Sequence, residues 1–247
     1  MFQRFIIDYK NDIFRSLSEP IIFENVCDGR KAAILADCKN ELIPIVRTTT
    51  KYNNPVQKFS SPYYELIENI RNVSEIKDLE LNNAMAEIYE PTYRNMGFHS
   101  DQMLDLSENS YICIFSCYDE PIGKNIGIRK LKIRNKESGT YSEILLEHNT
   151  VVIFPIDANR KHVHKIILDV PKTKSKWLGV TFRLSKTFID IENSIPYFRP
   201  EKKILRLASE DERREFLKHK SLENATINHS YPEICYTLSI SDLLPAK

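Results

Sequence analysis

The chain has 247 residues, 42% of them hydrophobic, which is enough to bury one sizeable core. Its formal net charge of +1 at pH 7 excludes a strong overall field directed at nucleic acid or a membrane, but it is compatible with a local basic groove. Five scattered cysteines argue against a disulfide framework, and neither a bilayer-spanning run nor a secretory signal is evident, so we expect a monomeric protein of the cytoplasm or nucleus.

The first region, residues 1–83, combines short mixed elements with one clear helix. The helix is predicted to begin near Ser61, because the proline that follows suits the first helical turn. Upstream of it lies a polar segment, RTTTKYN, at residues 47–53. The apolar spacing of the helix predicts a buried face formed by Tyr64, Ile67 and Ile70.

The second region, residues 84–184, is dominated by strand patterns separated by turns. YICIFSC and TVVIFP are almost continuously apolar and are predicted to be central strands, whereas the charged run IGIRKLKIR is predicted to be an edge strand. Cys113 and Cys117 share one face of YICIFSC, and we expect them to be small buried hydrophobes. Seven short strands indicate a sandwich or barrel-like structure. They are AMAEIY, YICIFSC, IGIRKLKIR, YSEILL, TVVIFP, HVHKIIL and WLGVTFR.

The third region, residues 185–247, is patterned rather than disordered. Ser209 and Glu212 form a capping box, and the EDERREFLKHK run that follows predicts a helix with Phe216 and Leu217 as its buried contacts. KILRLA and YTLSIS are predicted strands. Together the three regions indicate one compact domain of mixed α+β class that is mainly β.

The chemistry is concentrated in His99-Ser100-Asp101, followed much later by a histidine and by Arg183. Two imidazoles and one carboxylate on one face of Fe(II) leave positions open for a 2-oxo acid and O₂. Arg183, with its planar fork, suits the far carboxylate of the 2-oxo acid. The distal histidine is His162 or His164, which strand parity does not separate because residues two apart share a face. The competing interpretation of the H-x-D triplet is a surface turn in which the aspartate caps a backbone group.

The order of these motifs resembles the AlkB-like branch of the 2-oxoglutarate/Fe(II) oxygenases. The resemblance covers about half of the chain, through IPIVRTTTKYNNP, EIYEPTYRNMGFHSD, VVIFP, HKI and VTFR. It implies a double-stranded β-helix core (jelly-roll or cupin-like) with flanking helices and a C-terminal extension. It also implies Fe(II), 2-oxoglutarate and O₂ as cofactor and co-substrates, and oxidative demethylation or hydroxylation as the reaction. The family's H-x-[Ile/Val] pattern selects His164, so the resemblance implies iron ligands at His99, Asp101 and His164.

The sequence departs from the family pattern at the co-substrate residues. The family's Asn-x-Tyr is Glu87-Ile88-Tyr89 here, and the resemblance implies that Tyr89 donates to 2-oxoglutarate. In the family pattern R-x-N-x-T-x-R, the first arginine grips the distal carboxylate, but Trp177 stands in its place and Gly179 replaces the asparagine. We therefore expect Arg183 to be the anchor, with Lys176 in reserve.

For the substrate, the resemblance implies a modified nucleobase in single-stranded or flipped nucleic acid. The RTTTKYN segment resembles the family's lid, with Tyr52 placed to stack and Arg47 or Lys51 to contact phosphate. Basic residues on IGIRKLKIR, namely Arg129, Lys130 and Lys132, are expected to contact phosphate as well. The alternative for RTTTKYN is a solvated polar loop, and the alternative for IGIRKLKIR is a charged edge strand without a ligand. The protein would then be a protein side-chain or small-molecule hydroxylase, or a non-catalytic binding module.

Overall fold

A computed structural model of the chain describes residues 1–9, 12–120, 128–169 and 174–247. In these ranges the helices are α1 (Ile13–Ser18), α2 (Ser61–Ser74), α3 (Ile156–Lys161) and α4 (Glu210–Ala225), with a 3₁₀ helix at Ile240–Leu243. The strands are β1 (Gln3–Ile6), β2 (Glu24–Cys27), β3 (Arg30–Ala36), β4 (Ile43–Pro44), β5 (Gln57–Lys58), β6 (Asn83–Tyr89), β7 (Tyr111–Tyr118), β8 (Arg129–Asn135), β9 (Tyr141–Leu146), β10 (Thr150–Pro155), β11 (His162–Ile167), β12 (Trp177–Arg183), β13 (Phe188–Glu192), β14 (Ile195–Arg199), β15 (Arg206–Leu207) and β16 (Tyr236–Thr237). The first two residues of the IGIRKLKIR prediction lie outside the described residues.

The main sheet has eight strands, in the order β1-β10-β7-β12-β6-β3-β2, with β5 added in parallel to β3. The predicted central position of YICIFSC and TVVIFP is confirmed, because β7 lies between β10 and β12 while β10 lies between β1 and β7. A second sheet, β11-β8-β9, contains the charged strand. The prediction of an edge position for that strand is wrong, because β8 is hydrogen-bonded to a neighbour on both sides.

Two apolar layers cover the two faces of the main sheet. In β12, Leu178, Val180 and Phe182 pack in one layer with residues of α1 and α2. Trp177, on the other face, packs in a second layer with residues of β8 and β9. The two facing sheets, antiparallel throughout this second layer, form the double-stranded β-helix that was predicted. Buried Cys113 and Cys117 lie in the helix-side layer, as expected.

The two predicted helices form, with corrections to their buried faces. Helix α2 begins after Ser60 with proline in its first turn, and it buries Tyr63 where the prediction named Tyr64. Tyr64 is exposed and its hydroxyl donates to Asp37, whereas Ile67 and Ile70 are buried as predicted. Helix α4 has the capping box and buries Phe216, but Leu217 is exposed.

The C-terminal strands are shorter than predicted. KILRLA and YTLSIS contribute only β15 and β16, which pair in parallel with two residues each. The chain after β16 turns into the 3₁₀ helix, where Ser241 donates its backbone N–H to the carbonyl of Tyr52. The C-terminal extension is therefore bound to the segment at residues 47–53. In the described ranges, no helix is long and apolar enough to cross a membrane.

Candidate metal centre and adjoining cavity

Backbone pairing brings the two candidate histidine ligands together. His99 donates its N–H to the carbonyl of His164 at 3.0 Å, and His164 returns the bond at 2.7 Å. This isolated antiparallel bridge puts the two imidazole rings side by side, with centroids 4.8 Å apart. Asp101 Oδ1 lies 4.0 Å from His99 Nε2 and 3.8 Å from His164 Nε2. The three predicted ligands thus converge, with one donor atom from each lying within 4.8 Å of the others.

The choice between the two neighbouring histidines is settled by their contacts. His162 Nδ1 contacts the carbonyl of Ala158 at 2.8 Å, and its ring lies edge-on to Phe2. It therefore packs away from Asp101, whereas His164 is 3% exposed and faces it. Only His164 can serve as the third ligand.

The donor set has the protonation states that a divalent cation needs at neutral pH. Burial and the adjacent His99 lower the pKa of His164 to about 3. Burial lowers the pKa of His99. Its Nδ1 lies 3.1 Å from the carbonyl of Gly97, which assigns the proton to Nδ1 and leaves the lone pair of Nε2 for a metal ion. Burial raises the pKa of Asp101, but Arg183 and the two histidines outweigh it and hold that pKa well below its usual range. Two neutral imidazoles and one carboxylate fit the coordination preferences of Fe(II).

Arg183 is hydrogen-bonded to one of the three candidate metal ligands. Its Nε donates to Asp101 Oδ2 at 2.7 Å, and both side chains are buried. This bond leaves Oδ1 as the carboxylate oxygen that faces the two histidines. Arg183 also lines the adjoining cavity. Its observed contact is therefore with a candidate metal ligand, and its predicted role toward 2-oxoglutarate stays a prediction.

The loop that carries Asp101 is held from two sides. Asn159 accepts the Asp101 N–H through Oδ1 and donates from Nδ2 to the Asp101 carbonyl, both at 2.8 Å. From α4, Asn224 Oδ1 accepts the Ser100 N–H at 2.9 Å and Glu223 Oε1 accepts the N–H of Met103 at 2.8 Å. The C-terminal extension therefore contributes directly to the position of the carboxylate, a role that the sequence alone did not indicate.

A cavity of about 470 Å³ adjoins the three ligands. Its wall includes the segment at residues 48–50 together with Tyr52, which is 3% exposed and donates its hydroxyl to the Met85 sulfur at 3.1 Å. Tyr52 thus lies in the cavity next to the metal centre, although its predicted stacking with a base remains a proposal. Lys51 points to solvent and does not line the cavity.

The structure corrects the prediction that Arg47 contacts phosphate. Arg47 is 4% exposed; its guanidinium forms a fork with Asp105 and donates to the backbone carbonyls of Ile234 and Tyr236. These bonds tie the start of the 47–53 segment to the C-terminal extension and to the loop at residues 99–106 that carries Asp101, hereafter the metal-side loop. A buried arginine with all of these partners cannot reach a phosphate in solvent.

Among the basic residues of β8, the structure contradicts the predicted phosphate contact of Arg129, while those of Lys130 and Lys132 stay predictions. Arg129 is 2% exposed and donates to the carbonyls of Glu90 and Tyr93, so it is not available to phosphate. Lys130 and Lys132 lie outside the cavity and form ion pairs with Glu143.

Of the residues predicted for the co-substrate, Tyr89 and Lys176 lie outside the cavity wall. Tyr89 is completely buried and donates its hydroxyl to Glu87 Oε2 at 3.0 Å. Lys176 is exposed, immediately before β12. Trp177 is 1% exposed, and its ring lies so close above Gly179 that a Cβ there would clash with it. The place of the family's first arginine is therefore filled by an indole.

The cavity wall carries an ion pair that the sequence analysis missed. Arg30 of β3 contacts Glu87 of β6, with Nε 2.7 Å and Nη2 2.5 Å from Oε1. The two residues lie 57 positions apart, and only strand pairing between β3 and β6 reveals their contact. Two guanidinium groups, those of Arg30 and Arg183, therefore line the cavity, each paired with a carboxylate.

Comparison with known proteins shows the fold. No family model and no curated protein matches the sequence. Among solved structures, the chain is similar to OsALKBH1, with a TM-score of 0.50 and 13% identity over 74% of this chain and 97% of that chain. A Pseudomonas putida prolyl-4-hydroxylase aligns with a TM-score of 0.45 and 11% identity, over 74% of this chain and 91% of that chain. The likeness to OsALKBH1 agrees with the double-stranded β-helix built by the two facing sheets.

Proposed function

We propose that the protein is an Fe(II)- and 2-oxoglutarate-dependent oxygenase that hydroxylates or oxidatively demethylates its substrate. The observation that carries this proposal is the convergence of His99, Asp101 and His164 beside a cavity in a double-stranded β-helix. Bound to these three ligands, Fe(II) would supply the redox chemistry that couples decarboxylation of the 2-oxo acid to oxidation of a C–H bond.

The protein's own contribution is to prepare the ligands and to enclose the site. Arg183 holds one oxygen of Asp101 and neutralises its charge, while the carbonyl of Gly97 fixes the tautomer of His99. Tyr52 and Met85 form part of the cavity wall. Each of these groups is in place in the folded chain, so little reorganisation is needed when the metal binds.

The test of the oxygenase is Fe(II)-dependent turnover of 2-oxoglutarate. The purified protein is titrated anaerobically with Fe(II) and 2-oxoglutarate, and succinate release is measured after O₂ is admitted. We expect release that requires Fe(II) and is abolished in His164→Ala, with little effect of His148→Ala as the control histidine outside the triad. Equal succinate release in wild type and His164→Ala would contradict the proposal.

For the substrate, we propose a modified nucleobase in single-stranded nucleic acid, in the manner of AlkB-like enzymes. The support is a group of four residues, the Phe98 surface, made of Phe98, Tyr141, Arg134 and Lys165. Phe98 lines the cavity, and its ring lies 6.0 Å from that of Tyr141, which is 65% exposed. Arg134 and Lys165 lie 5.2 and 4.8 Å from the Phe98 ring, and neither forms an ion pair within the described residues.

This arrangement offers aromatic faces to a base and unpaired cations to neighbouring phosphates. Base stacking on an aromatic ring contributes about 1–3 kcal/mol, and phosphate contacts weaken with salt. Binding of a short single-stranded oligonucleotide at two salt concentrations provides the test, with Phe98→Ala and Tyr52→Ala compared against the exposed Tyr64→Ala. We expect salt-sensitive binding that falls about fivefold or more in the first two variants. Absence of binding at low salt would instead favour a protein side-chain or small-molecule hydroxylase, or, without succinate release, a binding module.

A further inference from the structure

The cavity wall opposite the metal centre follows the paired strands β12 and β6. Arg183, at one end of β12, contacts Asp101. Moving along the strand away from it, the positions on the same face are Thr181, which lines the cavity, then Gly179 and Trp177. Their partners on β6 are Met85 opposite Thr181, Glu87 opposite Gly179 and Tyr89 opposite Trp177. The wall therefore passes from the metal centre over Thr181 to the Glu87 carboxylate, beyond which the Trp177 indole fills the space.

Among the described residues, three cationic side chains line this cavity, and two of them are already bonded close to Asp101. Arg183 is bonded to Asp101, and Lys220 donates to the Ser100 carbonyl and to Glu223. The third cation, Arg30, enters from β3 next to Glu87. By strand register Arg30 lies level with Tyr89 and Trp177, at the opposite end of β12 from Arg183.

Arg30 contacts Glu87 in a way that leaves part of its guanidinium for a second anion. Its Nε and Nη2 share the single oxygen Oε1, so Glu87 occupies one edge of the planar fork. Arg30 also interacts with the side chain of Tyr93, another residue of the cavity wall. A guanidinium has five N–H donors, so these two partners leave N–H groups on Nη1 and Nη2 for an anion. Glu87 Oε2 is already bonded to the Tyr89 hydroxyl, which holds the carboxylate and, through it, the guanidinium.

The neighbourhood of Arg30 also supplies a neutral donor. The Tyr52 hydroxyl lies in the same wall, where it donates to the sulfur of Met85 at 3.1 Å, a weak acceptor, and also bonds the side chain of Thr50. A guanidinium edge and a phenol hydroxyl facing one cavity form a donor set suited to a carboxylate. The side chain of Arg30 is 13% exposed, so such a contact would be largely shielded from water and salt.

We propose that Arg30 binds the distal carboxylate of 2-oxoglutarate. The binding residue then lies on β3, because on β12 Trp177 occupies the position of the arginine in the AlkB-like pattern. The inference rests on the proposed function, since it concerns the co-substrate of that oxygenase. Glu87 acts as a positioning residue for Arg30. The departures from the AlkB-like pattern at Glu87, Gly179 and Trp177 then belong to a single change, in which the residue that binds the distal carboxylate lies on β3 and not on β12.

The test compares two acids that differ at the distal end alone. 2-Oxopentanoate has the chain length of 2-oxoglutarate and a methyl group in place of the distal carboxylate. Their dissociation constants are measured by calorimetry on the Mn(II)-loaded protein, so the readout is binding without turnover. In wild type we expect 2-oxoglutarate to bind about tenfold or more tightly than 2-oxopentanoate, the scale of one charge-assisted hydrogen bond.

Variants at Arg30 should remove that preference. Arg30→Gln is expected to weaken 2-oxoglutarate about tenfold or more while leaving 2-oxopentanoate nearly unchanged. The double variant Arg30→Gln/Glu87→Gln removes both charges of the pair and keeps the test available if a lone buried Glu87 prevents folding. Lys31→Gln is the matched control, since Lys31 is the next residue of β3 and is exposed on its opposite face.

Each outcome separates the inference from the proposed function. A preference for 2-oxoglutarate that survives in the Arg30 variants would overturn the assignment of Arg30 and leave the oxygenase standing. Equal affinity of the wild type for the two acids would overturn it as well. A wild-type protein that does not bind Mn(II) would contradict the proposed function itself, and the inference with it.

Discussion

Replacement of Asn159 tests how the protein positions its carboxylate ligand. Asn159 lies in α3, is completely buried, and makes two hydrogen bonds of 2.8 Å with the backbone of Asp101. Asn159→Ala removes both bonds and leaves the N–H and the carbonyl of Asp101 without these partners. The variant therefore loosens the ligand without touching any atom that faces the metal.

The expected magnitude follows from those two bonds. Leaving a buried backbone group without its partner costs about 1–3 kcal/mol, so the two groups exposed by Asn159→Ala should lower the free energy of unfolding by about 2–6 kcal/mol. For a chain of this size, each kcal/mol lowers Tm by about 2–4 °C, so we expect a fall of about 4–24 °C. Residues that orient a ligand in this way typically change metal affinity by about 10–100-fold, and we expect a loss in that range.

Two measurements separate the stability effect from the effect on the site. Thermal unfolding gives the change in Tm, and calorimetric titration with Mn(II), well below the Tm of the variant, gives the affinity of the folded state. Asn109→Ala is the control, because this asparagine is exposed and lies shortly after the loop that carries Asp101. It should change neither the Tm nor the Mn(II) affinity. Unchanged Mn(II) affinity in Asn159→Ala would refute the reasoning that this clamp sets the position of Asp101.

Two further predictions concern stability. Arg47→Met leaves Asp105 as a lone buried charge and should lower the free energy of unfolding by about 3–5 kcal/mol in urea titrations; a loss below about 1 kcal/mol would contradict the role assigned to Arg47. Burial raises the pKa of Asp242 to about 7. Between about pH 4 and 7 the folded state keeps a proton on Asp242 that the unfolded state releases. The free energy of unfolding should therefore fall as the pH rises through this range, by up to about 1.4 kcal/mol per pH unit. Asp242→Asn should flatten this dependence, and an unchanged pH profile would show that Asp242 ionises normally.

The strands and the metal ligands were predictable because their signals are local or ordered along the chain. Continuous apolar runs gave the central strands, and the H-x-D triplet followed by a histidine gave the three ligands that the structure brings together. The capping box gave the start of α4, since its two reciprocal bonds join residues three positions apart. Such features need no knowledge of distant partners.

The burial and the bonding partners of single charged residues were not predictable, because the partners lie far away in the sequence. Arg47 looks like a solvated lid residue until Asp105, 58 positions away, and two C-terminal carbonyls are placed around it. Arg129 belongs to a strand whose charges seemed to mark an edge, yet it points into the layer between the sheets. Burial of an arginine by backbone carbonyls leaves no trace in the local sequence.

The C-terminal extension shows the same limit on the side of function. The sequence predicted a helix there, and the structure shows that Glu223 and Asn224 of this helix bond the backbone of the metal-side loop. Helix periodicity identifies an apolar face, but it does not show which loop a polar residue will bind. The contribution of α4 to the candidate site therefore became visible only in the folded chain.

The central claim is that His99, Asp101 and His164 together bind one divalent metal ion. Anaerobic equilibrium titration with Fe(II), with Mn(II) as a redox-stable substitute, measures this directly in wild type and in the alanine variant of each ligand. We expect one ion per wild-type chain and loss of that site in each of the three variants. An unchanged affinity in His164→Ala or Asp101→Ala, with the variant folded, would contradict it.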